Sequence, residues 1–247
     1  MGESISLRQE TAPSLARNTL VMKFGGTSVG TPEAMTGAVD IVCRARAEWP
    51  RLLVVTSALS GVTNLLLESA ARAAKGDVHS LYAAGERLRS LHDTIATALV
   101  RNLARRAQVQ GDIGHLITEF LTLCQAMAVL GEATPRALDA VAGLGERMSV
   151  RLLASALEEA GTPARFVEAT QLIVTDAHYQ AAHPDLEATR QRARQVLFPL
   201  FEEGWIPVVT GFIAATPEGT PTTLGRGGSD YSAALLGAAL PADEVWI

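Results

Sequence analysis

The sequence predicts an α/β fold in which a mostly parallel sheet is covered by helices on both faces. Two observations carry this prediction: short apolar runs rich in branched residues alternate with longer helical segments, and several of the runs end in loops of glycine, serine and threonine. The 247 residues are 48% hydrophobic and 19% charged, which is typical of a globular protein with one large domain or at most two small ones.

The first strand–helix–strand unit follows a polar leader, residues 1–18, that we expect to be flexible. Thr31 is a good N-cap and Pro32 favours the first helical position, so a helix is predicted over Pro32–Glu48. The flanking apolar runs, residues 20–24 and 52–55, are predicted to be buried parallel strands.

A helical insertion is predicted over about residues 64–140, where the strand signal disappears and apolar residues recur at spacings of three and four. The alternation of strands and helices then returns. Strands are expected at 165–168, 172–174, 207–213 and 244–247, a hairpin around 216–222, and helices from 185 to about 197 and over 231–240.

Composition excludes several classes of partner. With 21 basic against 26 acidic side chains the net charge is −5, and no run of Lys or Arg is dense enough to neutralise a nucleic-acid backbone. The sequence has no uninterrupted apolar stretch of about 18 residues, so no membrane-spanning helix is predicted. The start of the chain resembles neither a secretion signal nor a transit peptide, so a cytoplasmic protein is expected. The two cysteines, Cys43 and Cys124, are interpreted as buried free thiols, and no metal ligands are predicted.

Ligands of open α/β sheets bind beyond the carboxyl ends of the strands, so the loops that follow the apolar runs are the candidate sites. The first of these loops contains Lys23, Gly25 and Gly26, a cation followed by two glycines whose amides can approach an anion. The second begins at Ser57 and includes Thr63. Each also has a purely structural interpretation, as a turn with a surface lysine and as a turn with an N-cap.

Two later loops lead into helices. Glu146 is expected in the first turn of one helix, where the helix dipole alone would favour an acid. The other loop, residues 223–230, sets three glycines around Arg226 and places Asp230 in the first turn of the next helix. Amides together with a guanidinium suit a carboxylate or a phosphate, and a purely structural loop would seldom need all of them.

These segments together resemble the aspartokinase branch of the amino-acid kinase family. The motifs K-F-G-G-T-S, S-A-L-S-G-V-T-N, G-E-R-M-S and T-T-L-G-R-G-G-S-D-Y, with V-V-T-G-F-I between the last two, stand in family order and span nearly the whole chain after the leader. The resemblance implies a three-layer αβα sandwich over residues 19–247. It also implies ATP-dependent phosphorylation of the side-chain carboxylate of L-aspartate, the first step towards lysine, threonine and methionine.

The resemblance also assigns roles to residues. Lys23 would lie against the transferred phosphoryl group, with the amides of Gly25 and Gly26 beside it and Asp230 orienting the lysine. Arg226 would pair with the α-carboxylate of the substrate and Glu146 with its α-ammonium. The remaining residues expected to line the substrate pocket are Ser57, Thr63, Phe212 and Ser229. Mg²⁺ should bridge the phosphates of ATP.

The same resemblance makes this chain the amino-terminal part of a kinase domain, truncated on its carboxyl-terminal side and without the regulatory ACT domains. We therefore expect the chain alone to be inactive and the full-length enzyme to be a homo-oligomer. Two alternatives remain open: a sister kinase that acts on glutamate, acetylglutamate, carbamate or a nucleoside monophosphate, and a non-catalytic binding module. A screen of acceptor acids discriminates the first alternative, and separate titrations with aspartate and ATP discriminate the second.

Overall fold

The computed structural model describes residues 19–247, so the predicted leader lies outside the described residues. Within them the strands are β1 (Thr19–Phe24), β2 (Arg51–Thr56), β3 (Ala164–Val167), β4 (Val174–Thr175), β5 (Pro184–Asp185), β6 (Ile206–Thr210), β7 (Ile213–Ala215), β8 (Pro221–Thr223) and β9 (Glu244–Trp246). The helices are α1 (Gly26–Val29), α2 (Pro32–Glu48), α3 (Val62–Ala73), α4 (His79–Leu99), α5 (Leu103–Leu130), α6 (Pro135–Ala142), α7 (Leu144–Glu159), α8 (Leu186–Glu202) and α9 (Gly228–Ala239).

Five strands form a parallel central sheet in the order β3-β6-β2-β1-β9. Successive residues of a strand point to opposite faces, and both faces of this sheet are buried. Leu20 and Leu52 belong to a core formed with α2 to α7, whereas Val21 and Leu53 belong to a core formed with α8 and α9. The predicted sandwich of a parallel sheet between two helical layers is therefore confirmed.

The helical insertion is present as α3, α4, α5 and α6. The longest of these helices, α5, starts at the N-cap Asn102 and ends at Gly131, whose φ is +72°. By length and composition alone α5 could cross a membrane. Its buried side chains, which include Ile113, Phe120 and Cys124, pack in the core shared with α4 and α7. The core helix of a globular protein can be equally long and apolar.

The single strand predicted over residues 207–213 is wrong. The chain forms β6, leaves the central sheet at Gly211 and Phe212, and enters a second sheet as β7. Phe212 has a φ of +65°, which interrupts the extended backbone. Hydrophobic periodicity could not reveal this break because the residues on both sides of it are buried.

The second sheet has the order β5-β4-β7-β8 and was not predicted. The hairpin expected around residues 216–222 is present as the antiparallel pair β7–β8, in which Ile213 faces Thr223. The strand predicted over residues 172–174 is only the two-residue β4. The helices α8 and α9 exceed their predicted bounds, ending at Glu202 and beginning at Gly228.

Candidate active site

The candidate site is a cavity of about 330 Å³ beyond the carboxyl ends of β2 and β6, next to the first turns of α7 and α9. Its lining residues come from three of the four loops singled out in the sequence and from the break between β6 and β7. They are Ser57, Ala58, Thr63, Glu146, Phe212, Gly225, Arg226, Gly227, Gly228, Ser229 and Asp230. The structure thus brings together every residue predicted for the substrate pocket.

Lys23, from the remaining loop, reaches this cavity through Asp230. It lies near the carboxyl end of β1, and its ammonium forms an ion pair with the carboxylate of Asp230 in the first turn of α9. The Lys23 side chain is 13% exposed and that of Asp230 is 49% exposed, and the Asp230 oxygen in the pair, Oδ1, is itself buried. An ammonium fixed in this way offers positive charge at the edge of the cavity.

Gly26 occupies a position where a larger residue would interfere, and Gly25 lies beside the Lys23 ammonium. A Cβ atom on Gly26 would lie 2.7 Å from the carbonyl oxygen of Ala58, so the loops after β1 and β2 touch backbone to backbone. A Cβ atom on Gly25 would lie 3.5 Å from Lys23 Nζ. The missing side chain of Gly25 leaves the lysine ammonium approachable, which suits the predicted phosphoryl-binding role of this loop.

Glu146 is the buried acid of the site. Only 3% of the residue is exposed, Oε1 accepts a hydrogen bond from Ala58 N (3.1 Å), and Oε2 has no hydrogen-bond partner among the described residues. Burial raises the pKa of the Glu146 carboxyl to about 8. The side chain is therefore mostly protonated at pH 7, and a cation entering the cavity would meet an oxygen that lacks a partner.

Arg226 is the exposed cation of the site. It lies between Gly225 and Gly227, whose φ angles of +76° and +72° suit glycine and strain other L residues. Among residues 19–247 the guanidinium makes no ion pair or hydrogen bond. Its five donors are therefore available to an anionic ligand.

Phe212 and Ser229 also line the cavity, and the packing of α9 fixes their positions. Phe212 N donates to Ser232 Oγ of α9 (3.0 Å), and a Cβ atom on Gly228 would lie 2.8 Å from the Phe212 ring. A Cβ atom on Gly211 would lie 2.7 Å from Ser229. The positive φ of Phe212 is thus enforced by close packing against the first turn of α9, which places backbone strain at the site.

Sequence reasoning missed Asp139 and Ala58. Ala58 acts through its backbone amide, which no residue pattern reveals. Asp139 belongs to α6 and is 2% exposed, with four hydrogen-bond contacts to its carboxylate. Its signal in the sequence is an acid within the otherwise largely apolar segment just before the G-E-R-M-S motif.

No group of three His, Cys, Asp or Glu side chains converges within residues 19–247 as a metal site. This part of the chain therefore offers no carboxylate cluster that would hold Mg²⁺ by itself. The predicted Mg²⁺ stays a prediction, and this ion is usually bound by one or two carboxylates together with substrate phosphates.

Comparison with known proteins identifies the class. The amino acid kinase family profile matches residues 18–247, and the chain belongs to that family. Curated relatives include lysine-sensitive aspartokinase 3 of Escherichia coli, 34% identical over 226 residues, and the chloroplastic bifunctional aspartokinase/homoserine dehydrogenase 1 of Zea mays, 36% identical over 231 residues. Each match covers 92% of this chain, but only 47% and 24% of those proteins.

Among solved structures, E. coli aspartokinase III in complex with aspartate and ADP superposes with a TM-score of 0.81 at 33% identity. The match covers 92% of this chain and 48% of that one. The aspartokinase III complex with lysine and aspartate gives a TM-score of 0.82. The chain therefore spans between a quarter and a half of the length of the relatives named here.

Proposed function

We propose that this chain forms the amino-acid-binding part of an aspartate kinase, which transfers the γ-phosphoryl group of ATP to the side-chain carboxylate of L-aspartate and releases ADP. The observation that carries the proposal is that Glu146 and Arg226 line the same cavity. Glu146 Oε2 has no hydrogen-bond partner among the described residues, and the Arg226 guanidinium forms no ion pair with them. An α-amino acid presents one cation and one anion on the same carbon atom. Glu146 would bind the α-ammonium and Arg226 the α-carboxylate.

The chemistry needs positive charge rather than a base. A side-chain carboxylate in water has a pKa of about 4 and is already ionised at neutral pH, so the acceptor attacks phosphorus without losing a proton. Both reactants are anions, and the transition state spreads charge over the phosphoryl oxygens. Lys23, fixed by Asp230, and the amides of Gly25 and Gly26 would stabilise that charge.

The relatives support the same reaction. The names of the curated relatives contain aspartokinase, and the solved E. coli structure holds aspartate and ADP. ATP is the corresponding phosphoryl donor, and the product would be 4-phospho-L-aspartate for lysine, threonine and methionine synthesis. A cytoplasmic location, a homo-oligomeric full-length enzyme and the absence of nucleic-acid or membrane partners stay predictions.

Calorimetric titration of the 247-residue chain tests the substrate assignment. L-aspartate is compared with succinate, which lacks the ammonium, and with β-alanine, which lacks the α-carboxylate. We expect L-aspartate to bind at least about tenfold more tightly than either analogue. Glu146→Gln should remove the advantage over succinate, and Arg226→Ala the advantage over β-alanine.

Competing functions give different results in the same titration. Tighter binding of L-glutamate, acetylglutamate or a nucleoside monophosphate would support a sister kinase. Binding of none of these acids, and no aspartate-dependent hydroxamate formation by the natural full-length protein with ATP, would contradict a kinase function and favour a non-catalytic module.

A further inference from the structure

The carboxylate of Asp139 is buried outside the candidate active site and is saturated by hydrogen-bond donors. Gln180 N donates to Oδ1 (3.1 Å) and to Oδ2 (2.9 Å), Thr223 N donates to Oδ2 (3.0 Å), and Thr223 Oγ1 donates to Oδ1 (2.8 Å). No lysine, arginine or histidine in the described residues forms an ion pair with the Asp139 carboxylate. The carboxylate is thus held by two backbone amides and one hydroxyl.

Such a group is costly to bury, since the loss of hydration outweighs these hydrogen bonds and raises the pKa of the Asp139 carboxyl. An apolar side chain there would leave the backbone N–H groups of Gln180 and Thr223 without this acceptor. What the carboxylate provides is a connection, because it joins α6 to two segments that are distant in sequence, the loop containing Gln180 and the end of β8.

Both of these segments border residues 224–228, which we call the Arg226 loop. Thr223 is two residues before Gly225, and a Cβ atom on Gly225 would lie 3.1 Å from the carbonyl oxygen of Gln180. Gln180 itself has a φ of +71°. The backbone that leads into Arg226 therefore begins at one segment held by Asp139, at Thr223, and packs against the other, at Gln180.

A second cavity, of about 240 Å³, lies between Asp139 and the substrate cavity. Both cavities are lined by Phe212, Gly225 and Arg226. The wall that separates them therefore contains Phe212 and part of the Arg226 loop. Without an anchor behind it, this loop could move back into the second cavity.

We propose that Asp139 is a positioning residue that holds the Arg226 loop in the conformation that binds the α-carboxylate of the substrate. It acts through Gln180 and Thr223 and touches neither substrate nor reacting atoms. This inference rests on the function proposed above. If the anchored loop is populated in only a tenth of the molecules once the anchor is lost, the dissociation constant of L-aspartate rises about tenfold.

Asp139→Asn is the decisive variant. Gln180 N lies within 3.1 Å of both carboxylate oxygens, so in either orientation the amide nitrogen of Asn would face a backbone N–H. Thr223→Val removes only the hydroxyl donor and serves where the first variant fails to fold. The matched control is Thr222→Val, which deletes a buried hydroxyl of the same strand, bonded to Thr175 Oγ1 at 2.7 Å.

The readout is the ratio of the dissociation constants of β-alanine and L-aspartate, measured by NMR titration of the full chain. β-Alanine keeps the ammonium and the side-chain carboxylate but cannot use Arg226. We expect Asp139→Asn to lower this ratio about tenfold, Thr223→Val to lower it about threefold, and Thr222→Val to leave it unchanged. Equal weakening of both ligands, or the same change in the control, would overturn the proposal.

Amide hydrogen exchange separates this inference from the proposed function. Without any ligand, residues 224–228 should exchange at least about fivefold faster in Asp139→Asn than in Thr222→Val, while β6 stays protected in both. If the parent chain does not bind L-aspartate, the proposed substrate is wrong, and this measurement alone decides whether Asp139 anchors the loop. Unchanged exchange of residues 224–228 would reject the anchor.

Discussion

Lys23 Nζ and the carboxylate of Asp230 form an ion pair that joins the end of the first described strand to the first turn of the last described helix. The lysine is largely buried, whereas about half of the aspartate side chain is exposed. Removing the carboxylate would therefore leave a buried ammonium without its counter-ion, free to turn away from the position where charge develops during transfer.

This arrangement predicts that the two residues act as a unit. In the natural full-length protein, Lys23→Met should lower kcat about 10²- to 10³-fold with little change in the KM for aspartate, and Asp230→Asn should lower kcat about tenfold. The double variant should be no slower than Lys23→Met. Glu187→Gln, which breaks the exposed Arg190–Glu187 pair, is the control. If steady-state kinetics show that the kcat losses of the two single variants multiply in the double variant, the coupling is contradicted.

The affinity for L-aspartate should rise with pH. With a pKa of about 8, Glu146 is mostly protonated at pH 7, and it must lose its proton to pair with the ammonium of the ligand. We expect the dissociation constant to fall up to about tenfold per pH unit between about pH 6 and 8, with nearly one proton released per ligand at pH 7. Calorimetry in two buffers of different ionisation enthalpy measures the release. A pH-independent constant would argue against Glu146 as the ammonium partner.

Glu146 should also make the fold less stable as pH rises. The unfolded chain loses this proton near pH 4.5 and the folded chain near pH 8, so the stabilisation is complete below about 4.5 and is lost by about 8. At about 1.36 kcal/mol per pKa unit the upper bound is about 5 kcal/mol. Urea unfolding of the parent chain and Glu146→Gln at pH 5 and 8.5 measures the difference. Glu33→Gln, which replaces an exposed acid in the first turn of α2, is the control variant.

His92 should weaken the helical insertion in acid. Its Nδ1 bonds to Leu88 O (2.6 Å), its Nε2 is buried without a partner among the described residues, and burial lowers the pKa of the imidazole below 6.5. The unfolded chain binds the proton first, so stability falls as the pH drops below about 6.5. The difference between the unfolding midpoints at pH 7.5 and at pH 5.5 should be smaller in His92→Leu than in the parent chain. His115→Gln, which replaces an exposed histidine of α5, is the control variant.

Gly26 should resist substitution, whereas Gly37 should tolerate it. Gly26→Ala would set a Cβ atom 2.7 Å from the backbone of Ala58, which cannot rotate away, and should cost about 1–3 kcal/mol. Gly37, in the middle of α2, has no described atom within 4 Å of the place that a Cβ would take, so Gly37→Ala should stabilise by about 0.5–1 kcal/mol. Melting temperatures that shift equally in both variants would contradict the close approach of the two loops.

The parts of the fold that carry long patterns were predictable from the sequence. The helix Pro32–Glu48 has a complete set of start signals, and the two central strands β1 and β2 stand between clear loops. The glycines around Arg226 likewise predicted a loop before the next helix, and Gly225 and Gly227 have positive φ angles there. In each case the information lies within about ten consecutive residues.

The remaining features depend on contacts between distant segments. The strands β4 and β5 have two residues each, too few for any periodicity. The donors that satisfy Asp139 lie 41 and 84 positions away, so its burial could not be read from its neighbours. The turn at Phe212 is imposed by the packing of α9, which itself depends on the completed sheet.

The place of β1 inside the central sheet bears on the order of folding. One neighbour, β2, follows soon along the chain, but the other, β9, pairs so late that Thr19 and Asp243, 224 positions apart, exchange hydrogen bonds of 2.8 and 2.9 Å. At about 5–20 residues per second a ribosome needs roughly 10–45 s to make the intervening chain. Throughout that interval one side of the strand that carries Lys23 lacks its native partner, and an unpaired strand edge is prone to pair with other chains.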